Sequence, residues 1–100
     1  MHYLLIYETA QDYLTRRVQF RNEHLAYAQA SVDRGELLLG GAVGDPPDGA
    51  LLLFQADSQE IPRRFAQDDP YVRQGVVTGW TIKPWATVVG PTASQQVVPG

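Results

Sequence analysis

The 100-residue chain contains no cysteine, only two histidines, and no apolar run long enough to cross a membrane. The missing cysteine excludes a disulfide framework and a thiol nucleophile, and it leaves the redox compartment open. The two histidines, His2 and His24, lie on different predicted elements, without the i, i+4 spacing or cysteine pairs of zinc sites, so no metal site is expected. Eight basic residues against eleven acidic ones give a net charge of −3 and no basic stripe, which argues against a nucleic-acid partner. The first residues lack both a basic region and a long apolar run, so neither a signal peptide nor a membrane span is expected, and the cytoplasm is the default location. No Gly-x-Ser-x-Gly elbow is present, and Gly40, Gly41 and Gly44 do not lie between a strand and a helix as a phosphate loop requires.

What is present suits one globular domain: 44% of the residues are apolar, and low complexity is confined to the last dozen positions. Residues 2–8 (His-Tyr-Leu-Leu-Ile-Tyr-Glu) form a first strand. Residues 15–34 read as an amphipathic helix, with Thr15 as N-cap, Gly35 as a left-handed stop, and Leu14, Val18, Leu25, Ala28 and Val32 in one arc. Residues 36–43 form a second strand. The Gly44–Gly49 run is a turn, and residues 50–56 a third strand, so the two make a hairpin. A second helix is expected from Ser58 to about Asp68, where Pro70 forces an end, and residues 76–85 form the last strand. The order βαββαβ is that of an α+β, ferredoxin-like plait with a four-stranded antiparallel sheet and both helices on one face.

The strands do not alternate apolar with polar as a half-solvated sheet should. Tyr3, Leu5 and Tyr7 point one way while Leu4 and Ile6 point the other, and residues 51–54 are apolar throughout. A sheet with two apolar faces needs a second cover, so a homodimer through the sheet faces is expected. The segment 89–100 is expected to be a tail that extends over a neighbour or frays.

Chemistry concentrates in two places. Arg21 projects into the middle of the aliphatic arc, where it needs an acidic partner, and His24 lies at the border of that face near Phe20 and Tyr27. Asp68 and Asp69 close the second helix against its dipole, so something else should fix them, and Arg21 and His24 are the candidates. In this reading His24 is a general acid/base oriented by Asp69, with Arg21 as a substrate clamp and Tyr71 and Tyr27 as cleft walls. The competing reading makes each structural: a half-buried histidine, a turn-capping aspartate, an ion-paired arginine and core tyrosines. His2, next to the N-terminus on a strand, reads as surface or interface decoration.

The combination of Tyr3-Leu4-Leu5-Ile6-Tyr7, Arg21-x-x-His24-Leu25, Gly35 before a Leu strand ending in Gly40-Gly41, Asp69-Pro70-Tyr71 with Gly75 following, and Lys83-Pro84-Trp85 resembles the YciI-like (YCII-related) family over residues 1 to about 88. The resemblance implies a dimeric ferredoxin-like α/β barrel, with an active site at His24 and Asp69 and lesser roles for Arg21 and Tyr71. The wider superfamily includes muconolactone isomerase-like and small-molecule monooxygenase proteins, so by analogy the substrate is an aromatic or lactone metabolite. The expected activity is that of a cofactor-free lyase, isomerase or hydrolase working by acid/base catalysis on a small cyclic or aromatic molecule. The alternatives are a non-catalytic small-molecule binding or sensing module and a structural dimerisation domain.

Overall fold

The computed structural model describes residues 1–100. The elements in chain order are β1 (His2–Thr9), α1 (Tyr13–Asp33), β2 (Leu37–Gly44), β3 (Pro47–Gln55), α2 (Glu60–Asp68), α3 (Pro70–Arg73) and β4 (Val77–Trp85). The four strands make one antiparallel sheet in the order β2-β3-β1-β4, which is the ferredoxin-like plait. The short helix α3 is an addition: the Asp69-Pro70-Tyr71 segment, read from sequence as a turn, carries on into one helical turn. Asp69 is its N-cap, accepting from the Tyr71 amide at 3.0 Å, and Pro70 stands at the first helical position, where its missing N–H costs nothing.

Register sets the two faces of the sheet. Tyr3, Leu5 and Tyr7 of β1, Leu52 and Phe54 of β3 and Val77 of β4 are buried beneath the helices and form the core together with Phe65, Ala66 and Tyr71. On the opposite face the register aligns Leu4 with Leu53 and Ile6 with Leu51, so that side is aliphatic too. Gly35 (φ +77°) ends α1, and Gly44 (φ +100°) opens the β2–β3 hairpin. A Cβ on Gly44 would come within 2.7 Å of Asp48 Oδ1 and 2.9 Å of the Pro46 carbonyl, so no larger residue fits that turn.

Several sequence expectations are corrected. Helix α1 starts at Tyr13 with Asp12 as its cap position, two residues before the expected Thr15 boundary. Its aliphatic arc is not the buried face: Leu14, Val18, Leu25 and Val32 are 41–73% exposed. The face turned to the core carries Tyr13, Phe20, His24, Tyr27 and Ser31. Large rings bury more surface than the smaller aliphatics, and the tyrosine and histidine tips find acceptors inside, so the aromatic stripe decides the rotation of the helix. His2 is likewise not decoration but 1% exposed, with Nδ1 2.6 Å from the Thr87 hydroxyl beneath the folded-back tail. The tail is tied down: Thr87 also meets Ser94, and the Val97 amide donates to the Val88 carbonyl at 2.9 Å. No helix is long and apolar enough to cross a membrane.

Candidate active site

The site is built around one carboxylate. Asp69 sits where α2 gives way to α3, held in an extended conformation (φ −62°, ψ 126°) by Pro70 after it, and its side chain is completely buried. A carboxylate without water must satisfy its lone pairs from the protein. Three donors converge on it. The Tyr7 hydroxyl donates to Oδ2 at 2.7 Å, while His24 Nδ1 lies 2.7 Å from Oδ1, which also accepts from the Tyr71 amide. They come from β1, α1 and α3, so the sheet, the long helix and the short helix are tied at one point.

The His24 ring is fixed in a second way. It lies flat on the Tyr71 ring, with centroids 3.9 Å apart and planes 5° from parallel, and Tyr71 in turn meets the edge of Tyr13 at 6.3 Å. With the imidazole plane set by Tyr71 and Nδ1 engaged by Asp69, the nitrogen without a protein partner is Nε2. A carboxylate at Nδ1 selects the Nδ1–H tautomer, which leaves the Nε2 lone pair available as a base.

Burial and neighbouring charge keep the tyrosines of the site protonated. Burial, and then the negative charge of Asp69, push the Tyr7 hydroxyl far above the ordinary tyrosine range, so it stays protonated and donating. Burial also raises Tyr71, against the lowering effect of the Arg21 and Arg17 charges. Tyr27 is raised to about 12, by burial first and then by the charges of Asp68 and Asp69.

His24 opens onto a cavity of about 250 Å³ between α1 and the inner face of the sheet. Tyr7, Tyr13, Arg17, Arg21 and Tyr71 share its wall, which is completed by Gln29 and by aliphatic and small residues. Asp69 is not on the wall; it stands behind His24 and Tyr7. The expected site residues therefore separate. His24, Asp69 and Tyr71 are together. Arg21 is on the wall but exposed, with no carboxylate within 4.0 Å, so the expected pairing with Asp68 or Asp69 does not form. The acceptors of Asp69 are taken by Tyr7, His24 and the Tyr71 amide, which leaves no need for a guanidinium. Tyr27 lies off the wall; its ring tilts on Phe65 at 4.8 Å, and its hydroxyl donates to the Phe65 carbonyl at 2.8 Å, bracing α1 against α2.

Sequence reasoning missed Tyr7, Tyr13 and Arg17. The signal for Tyr7 was available: a tyrosine on the core-facing side of a strand must find a partner for its hydroxyl, and a buried aspartate is the strongest acceptor on offer. Arg17 precedes Arg21 by one helical turn, so the same helix face carries both.

The chain is 31% identical over 97 residues to Protein YciI of Escherichia coli O6:H1 (strain CFT073), covering 88% of this chain and 99% of that one, and equally to Protein YciI of Shigella flexneri. An uncharacterized protein of Haemophilus influenzae is 27% identical over the same span. Among solved structures, the 5-chloro-2-hydroxyhydroquinone dehydrochlorinase (TftG) of Burkholderia phenoliruptrix AC1100, in complex with 2,5-dihydroxybenzoquinone, superposes with a TM-score of 0.71 at 22% identity, covering 85% of this chain and 93% of that one. At that identity the likeness concerns the fold. The YCII-related domain matches residues 1–86, and with these relatives it makes the chain a member of the YCII-related family.

Proposed function

We propose that the protein is a small-molecule enzyme that moves a proton on a cyclic or aromatic metabolite, with His24 Nε2 as the catalytic base and acid. One observation carries this reading: an imidazole on a cavity wall has its far nitrogen 2.7 Å from a fully buried carboxylate. That arrangement fixes the tautomer and stabilises the imidazolium formed when Nε2 takes a proton. Asp69 touches no ligand and is a positioning residue. Tyr7 and the Tyr71 amide hold Asp69, and the Tyr71 ring holds the imidazole plane.

A single imidazole that takes a proton from one atom and returns it to another suits isomerisation or elimination, and the same base can direct a water in hydrolysis. The neighbour with the similar fold is named a dehydrochlorinase, a reaction of the elimination class. The aliphatic outer face of the sheet supports a homodimer built on that face, as does membership of a family resembling dimeric α/β barrels. The cytoplasm is the proposed location.

The test is turnover of a panel of lactones, chlorinated and hydroxylated aromatics and cyclic ketones, run beside ligand-induced thermal shifts. Turnover by the wild type that is abolished in His24→Gln supports the reading; turnover that survives His24→Gln ends it. A second reading, a non-catalytic binding module, draws on the fact that His24 is the only histidine on the cavity wall and no Asp or Glu shares that wall. It predicts thermal shift without product across the panel.

A further inference from the structure

Two arginines on the cavity wall lack the partner that other arginines of the chain have found. Arg16, Arg34, Arg63 and Arg64 each stand 2.9–3.9 Å from a carboxylate. Arg17 and Arg21 do not. Arg17 lies over the Tyr13 ring at 5.2 Å and reaches that residue's hydroxyl at 3.5 Å, and Arg21 makes no side-chain hydrogen bond. The two are four residues apart on α1, one turn above the other, where like charges repel. An anion placed between them would turn that repulsion into attraction.

The surroundings favour such an anion. No aspartate or glutamate lines the cavity, and Asp69, the nearest buried acid to His24, is shielded behind His24 and Tyr7. The chain as a whole is acidic at −3, so a cationic wall runs against its overall charge. Apart from Gln29 the rest of the wall is apolar, with Leu25 and Ala28 from the helix and Leu37 and Leu52 from the sheet, while Gly40 and Ala42 leave room that larger side chains would fill. At about 250 Å³ the cavity falls below the roughly 300–1,000 Å³ of sites for drug-sized ligands, which points to a single ring. A planar guanidinium fork matches the two oxygens of a carboxylate, and an unpaired arginine at a cavity mouth is a strong donor to one.

We propose that the cavity is selective for a single-ring carboxylate, its carboxylate held by Arg17 and Arg21 and its ring laid on the apolar wall within reach of His24. The proposal deepens the acid–base reading and rests on it for what happens to the ring, but the anion site is defined by binding alone.

The experiment is isothermal titration calorimetry of the full-length protein with benzoate and with benzamide, its neutral isostere, on the wild type and on Arg17→Gln, Arg21→Gln, Arg21→Lys and His24→Gln. Both arginines stand outside the core, so thermal unfolding should match the wild type and folding does not confound the result. Benzoate is expected to bind more tightly than benzamide, and to weaken as KCl is raised. Each Gln variant should weaken benzoate about tenfold, since each removes a charge-assisted hydrogen bond from a group that is solvated on one side. Benzamide binding should not change. Arg21→Lys should recover part of the loss, keeping the charge without the fork. Equal affinity for the two probes, no binding of benzoate, or Gln variants that bind benzoate like the wild type would overturn the proposal. His24→Gln separates the two readings. Benzoate binding retained while turnover is lost supports both. Turnover retained in His24→Gln ends the acid–base reading and leaves the anion site standing, and turnover lost in His24→Gln without benzoate selectivity in the wild type ends the anion site alone.

Discussion

His24 and Tyr71 lie face to face, ring centroids 3.9 Å apart and planes within 5° of parallel. The Tyr71 hydroxyl takes no part in any hydrogen bond, so the ring alone does the positioning. Tyr71→Phe is expected to keep stability within about 1 kcal/mol and turnover close to the wild type. Tyr71→Ala should cost about 3–5 kcal/mol, as a buried aromatic is lost, and should lower turnover further by freeing the imidazole. Urea titration and steady-state kinetics of the two variants measure both effects.

Replacing Asp69 by Asn keeps its shape and removes its charge. The amide can present its NH2 to Nδ1 and so select the opposite tautomer, which puts the proton on Nε2. Turnover is expected to fall by about 10²-fold or more, whereas ligand binding should persist. Nitrogen-15 NMR of the His24 ring reads the tautomer directly, and an unchanged tautomer in Asp69→Asn would refute the positioning role. Asp69→Ala, which strands the Tyr7 hydroxyl and the Tyr71 amide, should cost about 3–5 kcal/mol.

Tyr7 and Tyr27 make stability fall at alkaline pH. Each has its folded-state pKa raised above the ordinary value of about 10, Tyr27 to about 12, so above pH 10 the unfolded chain loses these protons while the folded chain keeps them. Their contribution is complete below pH 10 and shrinks as pH rises. Urea midpoints measured between pH 9 and 12 should fall, and fall less steeply in Tyr7→Phe and Tyr27→Phe. At neutral pH, Tyr7→Phe removes one donor from a buried carboxylate and should cost about 1–3 kcal/mol.

Arg16 and Arg21 look alike in sequence and differ in the structure. Arg16 donates to the Gly75 carbonyl at 2.9 Å and the Gln74 carbonyl at 2.6 Å, clamping the end of α3 to α1. Arg21 clamps nothing. Arg16→Ala is expected to cost about 1–3 kcal/mol, and Arg21→Leu to stay within about 0.5 kcal/mol while impairing ligand binding. Denaturant titration of the pair settles the comparison.

The outer sheet face gives the test of assembly. Leu53→Arg would place a guanidinium among Leu4, Ile6 and Leu51, so if two copies meet there the variant should sediment as a monomer where the wild type sediments as a dimer. Equal sedimentation of the two proteins would reject a sheet-to-sheet dimer.

The strands, the hairpin and the end of α2 at Pro70 were legible because each rests on local rules: apolar strand composition, turn chemistry and proline sterics. The rotation of α1 was not. Counting aliphatics gave Leu14, Val18, Leu25, Ala28 and Val32 the core, but of these only Ala28 packs against it, beside the larger Phe20 and Tyr27, and helical periodicity does not weigh ring area against methyl groups. The closeness of His24 and Asp69 could be anticipated from two groups that each lacked a partner. The exclusion of Arg21 could not, because it depends on Tyr7, 62 residues from Asp69, reaching the carboxylate. His2 was misread for a similar reason: the partner of its ring nitrogen is Thr87, 85 positions away.

Tyr7, His24 and Asp69 come from the first strand, the first helix and the last helical junction, so their meeting closes loops of 62 and 45 residues at a single carboxylate. No peptide cut from this chain holds the constellation, and no exchange of one element with a relative can carry it across. The constellation therefore belongs to the assembled plait and not to a motif: the proposed proton-transfer centre comes into being only when nearly the whole sequence has found its place, so the turnover sought above would also measure how much of the chain is folded.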